Sequence, residues 1–400
     1  MKRNALWVSL VLLLIGGFVT VGTWTEAFAA DAPKTIKIGI LISFTGPDGM
    51  VGKPAKDGYE MAVEKVNKDG GVYLKEYDKK IPLELLIMDM ETNPEKAVAR
   101  AEALNQQGAV IVCGTTLMSA TSDIFEKNKL PAITSLVTTV GLFERGFKYY
   151  FGLSKMNDGV VDSIYATFAK IPKGQRPTQW AIWQEQTDWI VELFELARQK
   201  APAQGISFVS DNKYPMIARD MSPLILAAKK AGAEVVFSAP VPPDAITMLR
   251  QMKELDYHPK AIMMIRACDD PAWVKMTGPM GDYAIGCPDW HPALDYPGVK
   301  ELNAAYKAKF GTETHITSGN AYASIQIAAA AIEKAGSLDR TKVRDAIADI
   351  DMMTVYGPVK FNKGRRVYAP PVTTQWQKGI MEMVWPDNMK TKAMTYPRPK

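Results

Sequence analysis

Short apolar segments alternate with longer amphipathic segments along most of this chain, and this alternation constrains the fold more than any other feature. The short segments are typical of strands buried on both faces, and the longer ones show the period of helices. Strands and helices that alternate in this way indicate parallel sheets with crossover helices, so we predict an α/β fold. The predicted strands are Ile36–Ile42, Leu83–Met88, Ala109–Cys113, Ala132–Ser135, Gln179–Trp183, Ser207–Ser210, Glu234–Ser238 and Ala261–Ile265, and the predicted helices are 54–68, 94–107, 119–127, 190–201, 219–231, 243–255 and 317–335.

Two irregular segments interrupt the alternation, Tyr149–Asp158 and the proline-rich Cys287–Gly298. We interpret them as places where the chain crosses between two lobes, each built on an open, doubly wound parallel sheet. A single (β/α)₈ barrel is the competing interpretation of the same alternation. In open parallel sheets, ligands bind beyond the carboxyl ends of the strands, so the loops that follow the predicted strands form the candidate site.

The first 29 residues have the pattern of a secretory signal peptide. Lys2 and Arg3 precede an apolar run at 5–21, and Ala27-Phe28-Ala29 matches the small-x-small cleavage pattern. We therefore predict cleavage after Ala29 and export of the mature chain. An uncleaved membrane anchor is the alternative, because the apolar run approaches the length that spans a bilayer.

Composition and motifs indicate no catalytic centre. The formal net charge is +5 over 400 residues, which is too dilute to predict nucleic-acid binding. Three His and three Cys stand apart in the sequence, so we predict no metal centre and no cofactor. After export, either Cys268 pairs with Cys287, or both remain buried thiols together with Cys113. The sequence contains neither a nucleophile elbow nor a P-loop, so we predict a protein that is not an enzyme.

The candidate loops carry hydroxyl and aromatic groups instead. Thr115 and Thr116 follow a predicted strand and precede a helix, where hydroxyls and backbone amides either bind a carboxylate or simply cap the helix. Ser135 and Thr138 belong to a second hydroxyl cluster, for which ordinary turn formation is the other interpretation. Trp189 ends a polar loop, and such an aromatic ring either walls a pocket or packs in the core.

These loops and their order resemble the exported solute-binding proteins of ABC importers, in the branched-chain amino-acid-binding branch with the type I periplasmic-binding fold. The matching segments cover nearly all of the chain after the signal peptide, and they are Ile36-Lys37-Ile38-Gly39, Phe44-Thr45-Gly46-Pro47, 62–72, 93–97, 130–133, 248–251 and 357–361. The resemblance implies two lobes joined by three hinge strands and closing on a small ligand. We place residues 30–152 and 287–356 in lobe 1, and residues 153–286 and 357–400 in lobe 2.

The resemblance also implies a set of ligand-binding residues. One wall of the site comes from the loop after the first strand, and hydroxyls and amides of the next two loops hold a carboxylate. The second lobe closes from the other side. The residues implied in this way are Phe44, Thr45, Val51, Thr115, Thr116, Ser135, Leu136, Thr138, Asp188, Trp189, Val241, Arg266 and Asp269.

Arg266 departs from the family pattern, because the amino-acid binders have an acidic residue there that pairs with the ligand ammonium. An arginine repels an ammonium and favours a carboxylate, so we predict an organic carboxylate ligand, aromatic or bulky and apolar. Asp188 or Asp269 would still hold an amine, and a branched-chain or other amino acid is therefore the alternative. In the interpretation without a ligand role, Arg266 points to solvent or pairs with Asp269 or Asp270.

We therefore predict a monomeric periplasmic receptor that delivers a small-molecule ligand to an ABC permease in the membrane. Two remoter alternatives are a ligand sensor and an exported enzyme that uses Asp188, Glu185 or Asp269 as an acid or base. The lack of a nucleophile paired with a base argues against the enzyme.

Overall fold

The computed structural model describes residues 31–114, 116–362, 366–367 and 372–399, and the predicted signal peptide at 1–29 lies outside the described residues. The strands, in chain order, are β1 (Ile36–Ile42), β2 (Val72–Leu74), β3 (Lys79–Ile81), β4 (Leu83–Asp89), β5 (Ile111–Gly114), β6 (Ala132–Thr134), β7 (Tyr150–Gly152), β8 (Gln179–Glu185), β9 (Ser207–Tyr214), β10 (Val235–Ser238), β11 (Ala261–Met264), β12 (Ala284–Gly286), β13 (Asp351–Thr354), β14 (Gly357–Lys360), β15 (Thr373–Gln377) and β16 (Ile380–Trp385). The α-helices are α1 (Gly49–Lys68), α2 (Pro94–Gln106), α3 (Met118–Lys127), α4 (Asn157–Ala169), α5 (Asp188–Lys200), α6 (Ser222–Lys230), α7 (Pro242–Glu254), α8 (Trp273–Thr277), α9 (Val299–Phe310), α10 (Ile316–Ala335) and α11 (Arg340–Ala348).

Two separate sheets organise the described chain. The first has the order β4-β1-β5-β6-β7, and all its strand pairs are parallel. The second has the order β16-β15-β12-β11-β10-β8-β9, and its strand pairs are parallel except for β12-β15 and β15-β16, which are antiparallel. The predicted α/β fold with two sheets is confirmed, and the barrel alternative is wrong because neither sheet closes on itself.

The strands of the second sheet are apolar on both faces because helices cover both. Trp180 and Phe237 belong to one apolar cluster, together with residues of α4 and α5. Trp183 and Met264 belong to another, together with residues of α6 and α7. Burial on both faces explains why these strands show continuous apolar runs rather than an alternating pattern.

The chain passes between the two sheets three times, after β7, after β12 and between β14 and β15. In the last crossing the N–H of Val367 donates to the carbonyl of Gly152, at 3.0 Å, so this segment is tied to the first crossing. The segment Tyr149–Asp158, predicted to be irregular, contains β7 and the start of α4. Three crossings agree with the three hinge strands that the resemblance implies, while the exact lobe boundaries stay a prediction.

Helix α1 begins earlier than predicted, at Gly49 rather than at Pro54. Glycine makes this possible, because a Cβ atom on Gly52 would lie only 1.8 Å from the carbonyl oxygen of Ser43. The first turn of α1 is therefore wound directly against the loop that follows β1. Proline is common at the start of helices, which led the prediction to the wrong residue.

Several other sequence expectations can be compared with the described residues. Asn93 caps α2, which begins at the predicted Pro94, and its side chain accepts the N–H of Lys96 at 2.9 Å. Cys113, Cys268 and Cys287 are buried free thiols, so the alternative of a Cys268–Cys287 disulfide is wrong. Within the described ranges, no helix is both long and apolar enough to cross a membrane.

Candidate functional site

The loop after β1 is anchored by a carboxylate of the neighbouring strand. Asp89, the last residue of β4, accepts the N–H of Phe44 at 3.2 Å and the hydroxyl of Thr45 at 2.6 Å. Burial would raise the pKa of Asp89, but these hydrogen bonds outweigh it and lower that pKa. Phe44 is half-buried, whereas Thr45 is exposed and its hydroxyl already has this partner.

Asp48 and Thr116 meet at the carboxyl edge of the first sheet. The Thr116 hydroxyl donates to Asp48 Oδ2 at 3.3 Å, and both residues are half-buried. Burial raises the pKa of Asp48, while the Thr116 hydrogen bond and the charge of Arg266 oppose that shift. The charge of Glu185 also acts on Asp48, so these groups of the first and second sheets share one electrostatic environment. Thr115 lies outside the described residues.

The second predicted hydroxyl cluster is engaged within the protein. Ser135 is fully buried, and its hydroxyl lies 3.1 Å from the hydroxyl of Tyr59. The carbonyl of Ser135 accepts the side-chain amide of Asn320 at 3.1 Å. Leu136 and Thr138 follow in the same loop and are half-buried. Leu136 and Thr138 are therefore partly exposed in this loop, whereas the Ser135 hydroxyl is not.

Val51 lies in the first turn of α1 and is half-buried. Its carbonyl accepts the hydroxyl of Thr317, at 2.9 Å, from the first turn of α10. The carbonyl of Pro54 accepts the Ser318 hydroxyl at 2.7 Å in the same way. Two helices thus hold this wall of the candidate site in place.

Arg266, just beyond β11, forms an ion pair with Glu185 at the end of β8. The guanidinium Nη2 lies 2.7 Å from Glu185 Oε2, and the Glu185 side chain is only 2% exposed. The guanidinium also donates to the carbonyls of Ala239 and Pro240, at 3.1 and 3.3 Å. It lies over the half-buried ring of Trp189, with the central carbon 5.4 Å from the ring centroid. Such a position over an aromatic face is favourable for a guanidinium.

This geometry corrects two interpretations of Arg266. The guanidinium neither points freely to solvent nor pairs with Asp269 or Asp270. Its backbone N–H, not its side chain, donates to Asp269 Oδ2 at 3.0 Å. Because the partner is Glu185, the positive charge at this position is already compensated, which the sequence argument for a carboxylate ligand did not include.

Acidic groups outnumber the guanidinium at this edge. Asp244, in the first turn of α7, is buried and accepts the N–H of Ile217 at 3.1 Å. Burial raises the pKa of Asp244, and the charges of Glu185 and Arg266 both act on it. Glu185 therefore contacts the guanidinium directly, and Asp48 and Asp244 feel its charge. Sequence analysis missed Asp48 and Asp244 as site residues and named Glu185 only as a possible catalytic group.

The remaining predicted site residues, Asp188, Val241 and Asp269, differ in how far they are buried. Asp188 is exposed at the start of α5, and Val241 is half-buried at the N-cap of α7. Asp269 is 4% exposed and accepts the N–H of Cys287 at 2.9 Å. Burial raises the pKa of Asp269, although the charge of Lys155 acts in the opposite direction. The Asp269 carboxyl thus bridges two loops.

This edge also includes an uncapped helix start, and no metal-binding cluster lies among the described residues. No group of three or more His, Cys, Asp or Glu side chains within them is arranged to hold a metal ion. The apolar Leu117 occupies the N-cap of α3 and makes no side-chain hydrogen bond to the first amides. Backbone N–H groups at the start of a helix attract anions when no side chain caps them. In contrast, α7 begins with Pro242 and Pro243, which have no N–H to offer.

The chain is similar to known proteins over most of its length. A family model described as Periplasmic binding protein matches residues 35–379. The chain is 27% identical over 361 residues to the leucine-, isoleucine-, valine-, threonine- and alanine-binding protein of Pseudomonas aeruginosa, which covers 88% of this chain and 91% of that protein.

Solved structures share the fold. A leucine-binding protein from Thermotoga maritima has a TM-score of 0.76 and 19% identity, covering 87% of this chain and 97% of that one. The solute-binding protein of an ABC transporter from R. palustris, in complex with benzoate, has a TM-score of 0.75 and 15% identity, covering 88% and 95%. The type I periplasmic-binding fold implied by the resemblance is thereby confirmed.

Proposed function

Because the chain belongs to the periplasmic binding protein family and is a solute-binding protein of an ABC transporter, we propose that it captures a small organic carboxylate that also carries an ammonium group. The observation that carries this proposal is the Arg266–Glu185 ion pair, at 2.7 Å, with Asp48 and Asp244 beside it. Carboxyl groups thus outnumber the guanidinium among these residues, which suits a ligand with a cationic group.

The first-sheet side of the site suits the ligand carboxylate. The start of α3 has no side-chain cap at Leu117, and the Thr116 hydroxyl precedes it. Backbone amides in this arrangement bind a carboxylate through several short hydrogen bonds, and the Thr116 hydroxyl would join them by exchanging Asp48 for the ligand. This part of the proposal keeps the carboxylate that the sequence predicts.

The opposite side suits the ammonium. Glu185 Oε2 accepts Arg266, and the same carboxylate has a second oxygen with which to accept an ammonium N–H. Asp48 reaches the same electrostatic environment from the first-sheet side. An ammonium between these carboxylates would gain charge-assisted hydrogen bonds and relieve the repulsion between them. The amino acids in the name of the Pseudomonas aeruginosa relative support this ligand class.

An aromatic carboxylate without an ammonium is the second candidate. The Trp189 ring beside the Arg266 guanidinium favours it, since a ring and a carboxylate could use these two groups together. The benzoate complex of the R. palustris protein supports the same candidate.

We further propose that the protein does no chemistry itself, that it is an exported monomer in the periplasm, and that it passes its ligand to a membrane permease. The family consists of binding proteins, which supports the first point. The predicted signal peptide supports export, and membership of the periplasmic binding protein family supports the periplasmic location and the permease partner.

Matched ligand pairs test the ligand class. L-Leucine and 4-methylpentanoate differ in the ammonium alone, and so do L-phenylalanine and 3-phenylpropanoate. We expect the amino acids to raise the melting temperature and to bind at least about tenfold more tightly than their deamino partners, because a charge-assisted hydrogen bond is lost. The E185Q variant should remove most of this difference, whereas E301Q, at an exposed position, should leave it unchanged.

The opposite preference would support the aromatic carboxylate, with benzoate as the direct probe. Stabilisation by neither series would refute both ligand classes. Mass spectrometry of any ligand released from natively purified protein gives an independent answer.

A further inference from the structure

A single carboxylate joins the loop after β6 to helix α5. Glu192 Oε2 accepts the N–H of Val140 at 2.9 Å, and Glu192 Oε1 accepts the N–H of Gly141 at 3.0 Å. Val140 and Gly141 end the loop that begins with Ser135 beyond the first sheet. Glu192 belongs to α5, whose apolar face packs on the second sheet. One side chain therefore connects elements that belong to the two different sheets.

Asn157 extends this connection. Its side-chain Nδ2 donates to Glu192 Oε2 at 2.7 Å and to the carbonyl of Trp189 at 2.9 Å. Its backbone N–H donates to the carbonyl of Thr138 at 2.8 Å. Asn157 is 1% exposed and is the first residue of α4, directly after the first crossing between the sheets. We call the contacts of Glu192 with Val140, Gly141 and Asn157 the Glu192 clamp.

The strength of the clamp follows from its chemistry. All three hydrogen bonds of Glu192 go to one half-buried carboxylate, and hydrogen bonds to an ionised acceptor are stronger than neutral ones. The two backbone donors are adjacent, so the two carboxylate oxygens fix both the position and the direction of the loop. A glutamine in the same place would present an NH₂ group to one of these N–H groups and lose that bond.

The clamp lies between two walls of the candidate site. Thr138 and Leu136 belong to the loop that it holds, and Trp189 lies one turn before Glu192 on α5. The Trp189 ring in turn supports the guanidinium of Arg266. We propose that Glu192 is a positioning residue for ligand binding: its clamp fixes the first-sheet loop relative to Trp189 and Arg266, and so sets how long the ligand stays bound. The ligand part of this inference rests on the proposed function.

The E192Q variant tests the clamp, with E195Q as the matched control because Glu195 is exposed on the next turn of the same helix. We expect the amides of Val140 and Gly141 to exchange hydrogen at least about tenfold faster in E192Q without ligand, and not in E195Q. We also expect at least about fivefold faster dissociation of the tightest binder among L-leucine, L-phenylalanine and benzoate, with a nearly unchanged association rate. E192D, whose carboxylate is one methylene shorter, replaces E192Q if the latter does not fold.

Each outcome of these measurements tests either the Glu192 clamp itself or its role in ligand binding. Unchanged exchange at Val140 and Gly141 would overturn the clamp. Faster exchange with unchanged dissociation would show a merely structural contact and overturn the positioning role. If the wild-type protein binds none of the three probes, the proposed ligand classes fail, and the ligand-free exchange rates still confirm or overturn the clamp.

Discussion

At the residue scale, one buried histidine illustrates how burial couples charge to stability. His291 lies in the second crossing between the sheets and is 4% exposed. Its Nδ1 accepts the N–H of Ala293 at 3.1 Å, and its Nε2 lies 3.1 Å from the carbonyl of Met381, to which it donates. Both ring nitrogens are thus engaged by the neutral form. Burial lowers the pKa of His291 to about 4, against an ordinary value of 6.5.

The lowered pKa of His291 makes the free energy of unfolding depend on pH. In the unfolded chain His291 takes up a proton near pH 6.5, whereas in the folded chain it does so only near pH 4. Between these values the unfolded state binds more protons, so the histidine lowers the free energy of unfolding as the pH falls. We expect the stability difference between the wild-type protein and H291N to shrink by about 3 kcal/mol from pH 7 to pH 4, measured by urea unfolding.

The exposed His258 supplies the control, and H258N should show no comparable change over this range. Burial also raises the pKa of the nearby Asp289 to about 6, which gives stability the opposite slope. Because Asp289 is present in both proteins, its contribution cancels in the difference. A stability difference that stays constant from pH 7 to pH 4 would contradict the prediction.

The sequence draws attention to Arg266 but does not reveal the residue with which it pairs. Arg266 stood out in the sequence, but its partner Glu185 is 81 positions away. The pairing depends on sheet register: Trp183 in β8 and Met264 in β11 both align with Ser238 in β10, and each charged residue lies two positions beyond. The order of parallel strands cannot be derived from periodicity, so the ion pair could not be predicted.

At the element scale, the crossing of α1 and α10 depends on a glycine. A Cβ atom on Gly58 would lie 2.3 Å from the carbonyl oxygen of Ser318 in α10. This obstacle is backbone, so the two helices would have to separate. We expect G58A to lower the free energy of unfolding by about 3 kcal/mol, although alanine is itself the better helix former. Urea denaturation of the purified variant measures the change.

Gly174 supplies the matched control, because a Cβ atom there would meet nothing within 4 Å. We expect G174A to change the stability by less than about 0.5 kcal/mol. Equal stabilities of G58A and G174A would show that the helix crossing has room for a methyl group.

Elements with a clear period could be predicted, and elements without one could not. Strand β1 and helix α2 were predicted within one residue, since both have enough residues to show a pattern. The three-residue β6 was predicted from its apolar run, but β2, β3, β7 and β12, which are equally short, were missed. Their pairing is decided by neighbours in space, and a segment of this length does not show a period.

At the scale of the whole molecule, two-lobed proteins are expected to open and close, and residues that touch between the sheets bias that equilibrium. His315 caps the start of α10, and its Nε2 lies 3.8 Å from Oδ2 of Asp270, which follows β11 of the second sheet. These side chains are 9% and 16% exposed. Burial would raise the pKa of Asp270, but the electrostatic interaction with His315 and the N–H of Ala272 outweigh this and lower it.

The D270N variant should therefore favour the open form at pH 7. A carboxyl whose pKa is lowered by folding contributes stability above its unfolded pKa and loses it only as the pH falls through the lower, folded value, so at pH 7 the Asp270 carboxylate is ionised beside His315 in the wild-type protein. We expect ligand-free D270N to have a larger radius of gyration in solution scattering and a ligand dissociation constant raised by up to about fivefold, as a partly exposed pair contributes up to about 1 kcal/mol.

The pair of His258 and Asp256, at 3.0 Å in an exposed turn, is the control, because D256N removes a similar contact without touching the first sheet. The same scattering curve for D270N and the wild-type protein would show that closure does not depend on this contact.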